Sequence, residues 1–201
     1  MVRMKNLKFL HNFNKLAVFA LVFLGFVTGC ASTTGGARGP AQSALALCAG
    51  TNVSNAPATN SDGTIRNFRA VTAVKGRSLA TAPAQGCLSS GFGKRKGGAG
   101  KYHRGIDIFT RTPVPILAAG DGKVSFVGRQ SGYGRLIEID HGRGVRTRYA
   151  HLSSVKKGLK VGDRVKAGII IGKTGKTGNA SAVHLHYEIL LKGKQRNPLN
   201  F

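Results

Sequence analysis

From residue 86 onward the chain alternates between short apolar runs and glycine turns. GKVSFVG (122–128), RLIEIDHG (135–142), GVRTRYAHL (144–152), AGIIIGKTG (167–175) and VHLHYEILL (183–191) are each rich in β-branched and aromatic residues. Turn signals separate them: DG (121–122), SGYG (131–134), HGRG (141–144) and KTGKTGN (173–179). None of these stretches keeps a helical period. The pattern predicts an all-β domain over residues 87–201, a mainly antiparallel sheet whose glycine-rich loops carry the functional side chains. The 29 glycines and absence of tryptophan fit many tight turns and short strands.

Upstream the pattern changes three times. Arg3, Lys5, Lys8 and Lys15 precede LAVFALVFLGFV (16–27), an apolar run too short to cross a bilayer comfortably. Residues 1–29 therefore read as an export signal. Val27-Thr28-Gly29-Cys30 resembles a bacterial lipobox, which implies lipidation of Cys30 as the first mature residue. Residues 30–43 are small, polar and glycine-rich, a composition that cannot offset its own ordering entropy, and read as a tether. Residues 44–86 read as a small extension that packs on the main domain by a strand. In it ALALCAG (44–50) suits a short helix, and TIRNFRAVTAV (64–74) with GRSLATAPA (76–84) suits one or two strands.

Charge and cysteine content follow from that leader. The chain has 31 Lys+Arg against 7 Asp+Glu, a formal net charge of +24. Such an excess suits a polyanion, but export makes nucleic acid an unsuitable partner and leaves anionic wall polymers or lipid surfaces. With Cys30 carrying lipid, Cys48 and Cys87 remain as an even pair in an oxidising compartment, where a disulfide is expected.

The candidate chemistry centres on histidine. Side chains two apart on a strand share a face, so His184 and His186 project together while Leu185 enters the opposite layer. Alone, such a pair is more often two polar residues on an open face. KYHRGIDIF (101–109) adds His103 and Asp107 around a turn, an N/O donor set suited to zinc. His151, closing RYAHL, brings a further imidazole, while His141 beside Asp140 reads as a hydrogen-bonding turn residue. Seven carboxylates offer no obvious acid–base pair for a glycosidase, and neither a serine-hydrolase elbow nor a cysteine nucleophile signature occurs. Metal-assisted hydrolysis is what these residues allow.

Together, SSGFGKRKG, YHRGIDI, PVPILAAGDGKVSFVG, GYGRLIEIDHGRGVRTRYAHL, VGDRVKAGIIIGKTG and VHLHYEI resemble the lysostaphin/LytM-type zinc metallopeptidases, over about Cys87 to Phe201. The resemblance implies a grooved antiparallel β domain that cuts peptide bonds in peptidoglycan. It implies one Zn2+ per chain held by His103, Asp107 and His186, with His151 and His184 as non-ligand catalytic histidines; which of the two is the base stays open. The family commonly has proline before its HLH, where this chain has Ser181-Ala182-Val183, and Tyr133-Gly134 resemble a groove-lining loop. Some relatives lack zinc ligands and activate other wall hydrolases, so a non-catalytic envelope regulator is the alternative. A monomer is expected, anchored in the outer membrane facing the periplasm, or otherwise on the outer face of the cell membrane. A D-Ala to diaminopimelate cross-link is the preferred substrate.

Overall fold

A computed structural model of the chain describes residues 42–95 and 102–201. The expected leader, Cys30 and most of the tether lie outside the described residues. The described chain is all β, with no helix. In chain order the strands are β1 (Val71–Val74), β2 (Arg77–Ala80), β3 (Cys87–Ser90), β4 (Gly93–Lys94), β5 (Tyr102–His103), β6 (Ile106–Phe109), β7 (Pro115–Leu117) and β8 (Gly122–Gln130). There follow β9 (Gly134–Gly142), β10 (Val145–Ala150), β11 (Ser154–Val155), β12 (Arg164–Val165), β13 (Ile170–Lys173), β14 (His184–Leu191) and β15 (Lys194–Arg196).

The main sheet has eight strands in the order β12-β8-β9-β10-β14-β6-β3, with β15 also paired to β14. Every pairing in it is antiparallel. Smaller sheets are β11-β13-β7, β1-β2 and β4-β5. The two-residue period of β14 sends Leu185, Tyr187 and Ile189 into the core, where they meet Ile106 and Ile108 of β6, Ile137 and Ile139 of β9, and Tyr149 of β10. That leaves His184, His186 and Glu188 on the other face of β14, and Asp107 on the corresponding face of β6.

Residues 44–50 form no helix, correcting that expectation. Seven residues are too few to repay helix nucleation without tertiary help, and here the backbone finds other partners. The Leu88 amide donates to Ala46 O (2.8 Å) and the Cys48 amide to Leu88 O (3.0 Å), laying the segment along β3. A disulfide joins Cys48 to Cys87, with Cα atoms 4.9 Å apart. The 44–86 extension adds Leu45, Val53, Ile65, Val74 and Leu79 to the same core as the sheet.

Candidate metal centre

Register brings the sequence-predicted residues together. Asp107 on β6 lies directly across from His186 on β14, and Ala150, the last residue of β10, lies across from His186 on the other side. His151 follows immediately. His103 arrives from β5, where it pairs with Gly93 of β4. His103, His151 and His186 are buried, and Asp107 and His184 nearly so.

Three donor atoms converge. His103 Nε2 lies 3.1 Å from Asp107 Oδ1 and 3.1 Å from His186 Nδ1, and His186 Nδ1 lies 2.8 Å from Asp107 Oδ1. The remaining ring nitrogens are engaged elsewhere. His103 Nδ1 donates to Gly91 O (2.7 Å), and His186 Nε2 donates to Glu188 Oε1 (3.0 Å). A carbonyl and a carboxylate can only accept, so in the neutral tautomers the lone pairs of His103 Nε2 and His186 Nδ1 face one point, and a second proton on either ring is donated to Asp107 Oδ1. The donor set therefore fits one zinc ion of the N/O type.

The electrostatics match. Burial alone would raise the Asp107 pKa, but hydrogen bonds from His103 and His186 outweigh it and hold the carboxylate well below its ordinary range. Burial opposes charge on His186 too, yet Asp107 and Glu188 raise its pKa to about 9. A proton held on His186 between Asp107 and Glu188 competes with a metal ion for Nδ1, so metal affinity falls as pH falls.

His151 and His184 stand beside this set, ring centroids 4.7 Å apart. His151 Nδ1 donates to Thr177 O (2.7 Å) and His184 Nδ1 to Ala182 O (2.9 Å), so the neutral tautomer of each ring carries its lone pair on Nε2. Burial first, and then the neighbouring His184, lower the His151 pKa to about 4. His151 adopts φ +63°, a left-handed conformation uncommon outside glycine and costly where it occurs. Both histidines line a groove of about 800 Å³ with Tyr133, Tyr102, Asn179 and Ser181. Of the expected SGYG loop, Tyr133 lines the groove, whereas Gly134 (φ +66°) packs against the Thr177–Gly178 backbone, where a Cβ would collide.

Residues absent from the sequence reading complete the site. Glu188, fully buried, accepts from His186, from the Tyr133 hydroxyl (2.8 Å) and from Arg148 Nη1 (3.0 Å). Arg148 also reaches Glu138 through Nε at 2.7 Å. Arg95 Nη2 pairs with Asp107 Oδ2 at 3.3 Å, leaving Oδ1 to the donor cluster. Glu188 was signalled by the same period of two that linked His184 to His186. His141 is structural, bonded to Asp121 O and Thr147 Oγ1.

The model of Peptidase family M23 matches residues 101–198, which contain His103, Asp107, His151, His184 and His186. A mutant catalytic domain of the prophage-encoded M23 protein EnpA from Enterococcus faecalis is 35% identical, covering 55% of this chain and 87% of that one, with a TM-score of 0.50. The chain belongs to peptidase family M23. A zinc-containing peptidase from Vibrio cholerae is 31% identical with a TM-score of 0.54, over 68% of this chain and 40% of that one. Among curated relatives, the DD-carboxypeptidase/endopeptidase Mpg of Neisseria meningitidis is 39% identical over 100 residues, half of this chain and 23% of Mpg. The matched stretch thus spans about a quarter of that relative's length. The all-β fold is shared with these M23 structures.

Proposed function

We propose that the chain is a zinc-dependent endopeptidase that hydrolyses peptide bonds in peptidoglycan cross-links. The observation that carries this reading is the convergence of His103 Nε2, Asp107 Oδ1 and His186 Nδ1, each imidazole pinned through its other nitrogen, at the floor of a groove. A zinc ion held there would supply a water of lowered pKa, near 7, and polarise the scissile carbonyl. The chain's own groups do the rest. His151 is neutral at pH 7 and offers Nε2 to accept a proton, while His184 Nε2 lies 3.7 Å from Asp107 Oδ1 and faces the same space. One of the two returns a proton to the leaving amine. Arg95 and Glu188 hold the ligands in place.

The alternative, a non-catalytic regulator of another hydrolase, requires none of these five residues, and all five stand in one site. The relative named an endopeptidase supports the same reaction class. The preferred bond is the D-Ala to diaminopimelate cross-link. The leader and Cys30 support a lipid anchor at the cell envelope, in the outer membrane facing the periplasm or else on the outer face of the cell membrane, and the chain is read as a monomer. The +24 charge supports its concentration on anionic wall or lipid surfaces. Digestion of purified peptidoglycan by the zinc-loaded chain is the test. Chelation and His103→Ala are each expected to abolish it, and digestion that survives both sinks the proposal.

A further inference from the structure

Part of the groove comes from outside the family match. Asn52 and Ser54 line it, well upstream of residues 101–198. The segment carrying them is fixed to β3 at both ends. At one end is the Cys48–Cys87 bond with the Cys48 amide on Leu88 O. At the other, Ser54 bridges Ser90 in parallel and the Gly91 amide donates to Ser54 O at 2.7 Å. Position 91 admits only glycine, because a Cβ there would collide with the backbone oxygen of Asn55. The Gly91 carbonyl in turn accepts from His103 Nδ1, so the peptide that the extension grips also orients a candidate zinc ligand.

The Asn52 and Ser54 side chains make no hydrogen bond within the described chain, although both stand in the groove. A primary amide, like a peptide unit, offers both N–H donor and carbonyl acceptor, and a hydroxyl can serve either role. Neither carries a charge, unlike Arg95 and Arg104 in the same groove.

We propose that residues 48–55 form a substrate-binding wall in which Asn52 and Ser54 hydrogen-bond the peptide backbone of the bound stem, and which the Cys48–Cys87 bond holds against β3. The proposal rests on the endopeptidase reading and assigns the extension a part in substrate selection. Hydrogen bonds to peptide units of the stem that do not react are made equally in ground and transition states, so their loss raises KM and spares kcat.

The test uses the full-length chain and a purified cross-linked muropeptide dimer. Asn52→Ala and Ser54→Ala are each expected to raise KM about three- to tenfold, the worth of one neutral hydrogen bond, with kcat within about twofold. Calorimetric Kd values of the zinc-free variants for the same dimer should weaken by the same factor. Reduction of the disulfide, with circular dichroism confirming the fold, should raise KM in the wild type. Unchanged KM and Kd in both variants overturn the wall, as does absence of wild-type binding at millimolar dimer. Binding that weakens in the variants without any turnover by the wild type leaves the wall standing and removes the endopeptidase reading.

Discussion

The two faces of β14 handle buried polar atoms in opposite ways. On the core face Tyr187 is wholly buried; its hydroxyl donates once, to Ala80 O at 2.9 Å, and its ring lies 5.5 Å from that of Tyr149. Burial drives the Tyr187 pKa well up, so this face stays neutral. The next residue, Glu188, lies on the other face, is equally buried and stays ionised. Burial would raise its pKa, but the hydrogen bond and charge of His186, Arg148 and the Tyr133 hydroxyl together lower it. Buried ion pairs are weak contributors to net stability, because desolvation consumes most of the attraction. The core face holds the fold, and the site face spends part of that stability on fixing two imidazoles.

Substitutions that separate the faces come first. Tyr187→Ala should lower stability by about 3–5 kcal/mol in urea denaturation, as large aromatic truncations do. His186→Ala should leave a folded chain that retains no zinc on dialysis, read by metal analysis. A smaller effect is expected from Glu188→Gln, which weakens the brace on His186: zinc affinity by chelator competition should fall about 10- to 100-fold, the usual worth of such partners. Tyr187→Phe removes one donor and strands the Ala80 carbonyl, costing about 1–3 kcal/mol of stability with zinc affinity unchanged. Loss of zinc affinity in that variant would dissolve the distinction between the faces.

The smallest effect concerns pH. His141 is buried in the core layer, and burial holds its pKa below the ordinary 6.5. The unfolded chain then takes up a proton near pH 6.5 while the folded chain resists it. The stabilising contribution is complete above pH 6.5 and is lost as pH falls toward the folded value. Thermal denaturation should show a shallower decline in Tm between pH 7 and 5 for His141→Gln than for the parent chain.

Much of this was legible in the residues. The runs 122–128, 135–142 and 183–191 fall within β8, β9 and β14 almost entirely, because their β-branched content and glycine boundaries are local signals. His103, Asp107, His151, His184 and His186 could be nominated because strand period and chemistry sufficed. Two supports could not. Arg148 is one of 31 cations, and only the register of β10 against β14 and β9 marks it as the partner of Glu188 and Glu138. The acceptor for His103 Nδ1 is the backbone carbonyl of Gly91, which no side-chain type announces. At 44–50 the helical reading failed because tertiary partners on β3, rather than propensity, decided the backbone.

His151 holds its ring between Thr177 O and His184 only by adopting φ +63°. Glycine or asparagine would occupy that backbone with less strain, so selection for stability alone pulls the position away from histidine. A homologous chain that had given up peptide cleavage would be released to follow that pull, and the identity of this one residue would then record, without any assay, whether the chemistry is still under selection.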